Sequence, residues 1–175
     1  MANFLEQLTC EWYEYKGYFV RRNIRVGERS KGGYDCELDV VAFHPKRKHL
    51  VHIEPSMDAE SWETREKRYK KKFDAGQKHI PALFDGLQLP AEIEQVALLV
   101  FASTSSRKTL AGGRILMFDQ FLAQILGEVG KKTIAKKAVP EQFALLRTLQ
   151  FVSHFKETAI DVWRSIQTTS CNTTG

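Results

Sequence analysis

The chain has 175 residues, 43% apolar and 27% charged, with 26 Lys+Arg against 21 Asp+Glu and a formal net charge of +5. That length and composition suit one globular domain with a core of ordinary size. The longest apolar run, Val96 to Ala102, falls far short of the roughly 20 residues a membrane helix needs, so no membrane span is expected. The start, MANFLEQLTCEWYEYKG, carries acidic residues and no basic lead into an apolar stretch, and does not read as a secretory signal. Cys10, Cys36 and Cys171 are odd in number and far apart. They form neither a CxxC pair nor a disulfide framework, which predicts a reducing, cytoplasmic setting and disfavours structural zinc.

In chain order, Asn3 to Lys16 reads as a helix, with Asn3 as N-cap, Glu6 three residues on as in a capping box, and Gly17 placed to end it. Tyr18 to Val26 is a strand, and Gly27 to Gly33 a turn-rich loop. Asp35 to His44 and His49 to Pro55 read as a hairpin around the polar loop Pro45 to Lys48. If His44 pairs with His49, Phe43 faces Leu50, Val41 faces His52, Asp39 faces Glu54, and Glu37 lands opposite Ser56. Asp58 is the expected N-cap of a long helix to about Phe84, kinked or ended before Pro81. Glu94 to Ala102 is the most apolar strand and should be central. A polar loop, Ser103 to Gly113, precedes a short strand, Arg114 to Phe118, and Asp119 caps a helix to about Val129. A basic linker, Lys131 to Val139, leads into a helix from Pro140–Glu141 to about Gln167, whose stripe Phe143, Leu146, Leu149, Val152, Phe155 and Trp163 suits packing on the domain or on a second copy. The expected organisation is a core of residues 1–130, a helical extension of residues 131–167 packed on it, and a disordered tail, 168–175. The element order predicts an α/β fold, a mixed β-sheet flanked by helices.

The basic residues cluster. Arg21, Arg22 and Arg25 begin one group, continued by Arg29 and Lys31; Arg65, Lys67, Arg68, Lys70, Lys71 and Lys72 form another. Two such clusters suit a phosphate backbone, where neutralised phosphates release counterions. A lysine-rich helix that is merely solvated satisfies the same pattern.

The hairpin carries the chemistry. Side chains alternate along a strand, so Glu37, Asp39, Val41 and Phe43 share one face, and His52, Glu54 and Ser56 share one face of the partner. Opposed carboxylates repel and raise one another's pKa unless a cation lies between them. A divalent ion is the simplest candidate, since Mg²⁺ takes oxygen ligands. The competing interpretation is the wet end of an edge hairpin, although Val41, Phe43 and Leu50 share the face with the acids. His52 stands close enough to Glu54 to touch a substrate or water, although a lone imidazole is more often structural.

Helix, Gly-Tyr and strand, a Gly-containing loop, then the acidic strands CELDVVAF and HLVHIEPS, together resemble the PD-(D/E)xK nuclease superfamily, the restriction-endonuclease-like fold. Small members similar to Holliday-junction resolvases are nearest in pattern. The resemblance covers Leu5 to about Gln77. It implies a strand Asp and a following Glu as metal ligands, here Asp39 and Glu54, completed by a first-helix Glu, here Glu6 with Glu11 as runner-up. Glu37 is a further candidate ligand. The family pattern sets a Lys two residues after the Glu, where this chain has Ser56. A lysine supplied from the next helix is the expected replacement, with Lys70, on the flank of Glu66 and Gln77, preferred over Lys72 on the opposite flank.

These expectations define a Mg²⁺- or Mn²⁺-dependent nuclease acting on DNA. Asp39, Glu54, Ser56 and Lys70 carry the chemistry, and Arg21, Arg22, Arg25, Lys67 and Lys71 hold phosphates. Two alternatives remain: an inactive nucleic-acid-binding or assembly protein on the same scaffold, and an interaction domain that forms a homodimer through its C-terminal helix. The Gly127–Thr133 stretch lacks the first glycine of a phosphate loop, the histidines show no HExxH spacing, and no G-x-S-x-G frame surrounds Ser103.

Overall fold

The computed structural model describes residues 3–102 and 107–171, with side chains as far as Ile166. The chain divides into two compact units, residues 1–121 and 122–175. The first is mixed α/β. Helix α1 (Phe4–Tyr15) leads into β1 (Phe19–Glu28), β2 (Tyr34–His44) and β3 (His49–Ser56), followed by α2 (Trp62–Leu83), β4 (Glu94–Leu99), β5 (Thr109–Leu110) and β6 (Gly113–Met117). The described strands form one sheet of order β1-β2-β3-β4-β6-β5.

Local chemistry sets the boundaries of α1. The Asn3 side chain accepts the Glu6 N–H at 2.9 Å and its amide donates to the Glu6 carboxylate at 2.6 Å. This satisfies an orphan donor of the first turn. At the other end Gly17, at φ +86°, reverses the chain. The Tyr18 N–H returns to Tyr13 O and the Gly17 N–H to Glu14 O, a Schellman closure that a left-handed glycine permits.

The β2–β3 hairpin holds the expected register, with His44↔His49, Phe43↔Leu50 and Val41↔His52 paired antiparallel. The ladder stops at Val40↔Ile53. Beyond it β3 continues only alongside β4, through Pro55↔Leu98 and Ser56↔Leu99 in parallel. Pro55 has no N–H for a ladder. Glu37 therefore never faces Ser56; it pairs with Arg25 of β1. On β1, Asn23 takes φ +52° between the pairs Arg22↔Val40 and Ile24↔Leu38. The register runs on across it, and the left-handed conformation is one that asparagine tolerates.

β4 is central as expected, parallel to β3 and β6, with Val96, Ala97, Leu98 and Leu99 all fully buried. Part of the loop expected at Ser103–Gly113 is instead strand β5, hairpinned to β6 through Ala111 and Gly112, both at positive φ; residues 103–106 lie outside the described residues. Both side-chain parities of β2 and β3 are buried. One parity, Val41, Phe43 and Leu50, packs with Ile80 and Phe84 at the end of α2. Further along, Tyr69 and Phe73 of α2 pack with Ala97, Leu99 and Leu110.

Two helix boundaries differ from expectation. Ser61 caps α2, its hydroxyl accepting the Thr64 N–H at 3.3 Å, because Asp58 is drawn to Arg65 and Arg68 instead. Pro81 sits inside the last turn, which runs on to Leu83.

In the second unit, the remainder of α3 (Phe118–Val129) is followed by α4 (Ile134–Lys137), α5 (Ala144–His154) and α6 (Lys156–Cys171). The single helix expected from Pro140 to Gln167 is thus broken at Phe155, which ends α5. Gln150 organises the α4–α5 turn: its carbonyl accepts the Val139 N–H, and its amide reaches Lys132 O and Lys137 O. Leu146 is buried, whereas Phe155 and Trp163 are exposed. The helix α6 covers 168–171 of the expected tail, and 172–175 lie outside the described residues. Among the described residues, no helix is long and apolar enough to cross a membrane.

Gly113 marks a close approach of β6 to α2. A Cβ there would stand 2.3 Å from the Phe73 ring and 3.0 Å from Gln95 O. Gly113→Ala should cost about 1–3 kcal/mol by overpacking, read as a lowered melting temperature.

Candidate functional site

Where the β2–β3 ladder ends, three charged side chains meet. Glu54 is 2% exposed, Asp39 16% and Lys72 of α2 23%. The Lys72 ammonium donates to Asp39 Oδ1 at 2.5 Å and to Glu54 Oε2. The carboxylates are linked further, since the Asp39 N–H donates to Glu54 Oε1 at 3.1 Å. Two neighbours hold Glu54 itself: the Tyr69 hydroxyl donates to its backbone carbonyl at 3.0 Å, and His52 Nε2 lies 2.7 Å from Oε1. The cluster opens into a pocket of about 240 Å³ that Asn3, Ser56 and Arg68 also line.

Burial dominates the electrostatics. Desolvation, reinforced by Glu54, pushes the Asp39 carboxyl up to about 7. Glu54 is also raised by desolvation, against the pull of Asp39's hydrogen bonds and the Lys72 charge. Burial alone would lower Lys72, but the two carboxylates hold it above its ordinary value. It stays charged at neutral pH. Burial drives the His52 imidazole down to about 3, so it is neutral.

A second polar cluster borders the pocket. The Ser56 hydroxyl donates to Asp58 Oδ2 and accepts from Arg68 Nη2 at 3.2 Å. Arg68 also pairs with Asp58 at 2.5 Å and Glu60 at 2.7 Å. Although partial burial pulls the other way, the hydrogen bonds from Ser56 and Arg68 bring Asp58 down to about 2. Arg65, only 2% exposed, reaches Asp58 and the Phe101 carbonyl.

Asp39, Glu54 and Ser56 thus lie together, while other residues singled out in the sequence lie elsewhere. Lys70 is exposed and pairs with Asp74 at 3.1 Å; Lys72, on the opposite flank of α2, occupies the position expected of it. Glu37 pairs with Arg25 at 3.4 Å on the exposed part of the sheet, because the strands part before it reaches the pocket. Glu6 is close enough that, after burial, the charge of Asp39 is the next largest influence raising its pKa, but its hydrogen bonds go to Asn3. Glu11 accepts from Gln7 within α1. Of the basic residues, Arg21 donates to Leu83 O of α2, and Arg22 has the opposite strand parity. Lys67 pairs with Glu63 on the exposed side of α2, and Lys71 is exposed.

The donor set suits a hard divalent cation. Two carboxylate oxygens converge on the one point where Lys72 places its charge, and Mg²⁺ typically binds one or two carboxylates, completed by water and phosphate oxygens. Among the described residues, no group of three or more His, Cys, Asp or Glu side chains is gathered for a metal. No protein-family model and no curated protein matches the chain.

A carboxyl whose pKa is raised on folding contributes full stability only below its unfolded value, and that contribution is lost as pH rises through the folded value. The metal-free protein should lose thermal stability between about pH 4 and pH 7, and Asp39→Asn should flatten that slope; an unchanged slope would contradict the burial of an ionisable carboxyl there. Lys72→Met, which leaves two buried carboxylates unpaired, should cost about 3–5 kcal/mol. The loss should be larger at pH 8 than at pH 5 in a denaturant titration.

Proposed function

We propose that the protein is a metal-dependent endonuclease that hydrolyses DNA phosphodiester bonds on the PD-(D/E)xK plan, with the motif lysine supplied by α2. The observation that carries this reading is the convergence of Asp39, Glu54 and Lys72 in one pocket. Asp39 and Glu54 would hold Mg²⁺ or Mn²⁺. When bound, such an ion supplies Lewis-acid polarisation of a phosphoryl oxygen and of the attacking water.

The remaining roles belong to the chain. Lys72 brings the positive charge that Ser56 lacks, from a helix rather than from the strand. Tyr69 and His52 fix the Glu54 backbone and carboxylate. Ser56 and Arg68 offer a hydroxyl and a guanidinium at the pocket wall. Arg21, Arg25 and Lys71 serve for flanking phosphates, which position a duplex without reading its sequence. The scattered cysteines suit a cytoplasmic setting.

One observation favours a second reading, a nucleic-acid-binding or assembly protein without catalysis. Lys72 already contacts both carboxylates, so the cluster is paired without any added ion.

Plasmid and oligonucleotide cleavage across Mg²⁺ and Mn²⁺ separates the two. Asp39→Ala and Glu54→Ala should lose cleavage to background while keeping salt-sensitive DNA binding. Lys72→Ala should fall by about 10²-fold or more, the scale of one proton-transfer group, and Lys70→Ala should keep activity. Undiminished cleavage by Asp39→Ala removes the nuclease assignment. Salt-sensitive binding with no product in either metal supports the inactive scaffold.

A further inference from the structure

His52 is fully buried, yet only one of its ring nitrogens has a partner. Nε2 meets Glu54 Oε1 at 2.7 Å, whereas Nδ1 has no hydrogen-bond partner. The tautomer follows. A neutral imidazole carries one proton, and the nitrogen facing a carboxylate oxygen is the one that gains from holding it. Nδ1 is left with a lone pair turned towards the backbone of α2 at Gly76.

The fit there is tight. A Cβ on Gly76 would stand 2.3 Å from Nδ1 and 2.7 Å from Cε1 of the same ring. Phe73, on the same buried face of α2, meets the ring edge-on, with its centroid 5.5 Å from that of His52. This close seating against α2 keeps the ring from moving towards the helix, and it holds the Nε2–H at Glu54 Oε1. Glu54 Oε1 is thereby occupied twice, by His52 and by the Asp39 N–H. Oε2 is the oxygen turned to the Lys72 cation.

We infer that His52 is a positioning residue: held by the gap at Gly76, it fixes the rotamer of Glu54 so that Oε2 alone is presented at the cation position. This rests on the metal-binding reading of Asp39 and Glu54, but part of its test does not. An unpaired buried nitrogen carries the ordinary cost of an unmade hydrogen bond, and the fixed carboxylate is what that cost accompanies. Groups one shell out from a metal influence affinity in the same way as the ligands they orient.

The test uses the full chain and Mn²⁺ alone, measured by calorimetry without DNA, together with amide hydrogen exchange of the metal-free protein. His52→Leu removes the donor, and His52→Gln keeps an N–H near the Nε2 position. Gly76→Ala leaves the histidine but takes its space. The leucine and alanine variants should bind Mn²⁺ about 10–100-fold more weakly, the usual range for such groups, and the glutamine variant should recover most of the loss. In metal-free His52→Leu, the Asp39 amide should exchange about tenfold faster, as local opening frees it, while amides within the Val40–His44 ladder keep their protection.

Wild-type Mn²⁺ affinity in His52→Leu with an unchanged Asp39 amide would overturn the inference. So would a glutamine variant as weak as the leucine one. If the wild-type chain binds no Mn²⁺, the metal reading falls and the exchange rate of the Asp39 amide alone decides the role of His52. Should His52→Leu not fold, Gly76→Ala and His52→Gln give the same decision: affinity restored by glutamine and lost with alanine supports it, and equal affinity in both overturns it.

Discussion

The pocket depends on one ammonium group. Lys72 lies between Asp39 and Glu54, and without it the two carboxylates would face each other in a largely buried site, with Arg68 at the pocket wall committed to Asp58 and Glu60. Burying an ion costs several kcal/mol, which only close pairing and further hydrogen bonds repay. The chain provides both: the Lys72 contacts, the Asp39 N–H, the His52 ring and the Tyr69 hydroxyl all converge on the same two residues. Folding and the candidate chemistry therefore draw on the same interactions.

The fold explains why the site lies where it does. Antiparallel β2 and β3 part after Val40↔Ile53, and β3 then runs beside β4 alone. An acidic residue on each strand reaches into the opening, and the backbone N–H of one is taken up by the side chain of the other. Pro55 on β3 and the left-handed Asn23 on β1 flank that point. The sheet thus gives up regular pairing where the two carboxylates meet.

Much of this was legible in the sequence. The short polar loop Pro45–Lys48 fixed the hairpin register, so the approach of Asp39 to Glu54 followed from alternation alone. The identity of the lysine did not. On a helix of about 100° per residue, with the buried stripe Tyr69, Phe73, Gly76 and Ile80 at the centre, Lys72 lies about 70° to one side and Lys70 about 90° to the other. Both flanks look alike until the sheet beneath is known: one faces β2 and β3, whereas the other carries Glu66 to the β5–β6 turn, where it accepts the Ala111 N–H. The helix start was misjudged for a related reason. Asp58 is a good capping residue in isolation, but two guanidinium groups from the next turns compete for it. Gly76 gave no signal at all, because the need for a missing Cβ arises only when His52 stands opposite.

On the proposed function, the space held by the Lys72 charge takes a divalent cation. The most direct measurement is a crystal grown with Mn²⁺ and examined by anomalous scattering. A nuclease centre would give a peak in contact with carboxylate oxygens of both Asp39 and Glu54. A map with no peak, and both carboxylates still closed on Lys72, would contradict it.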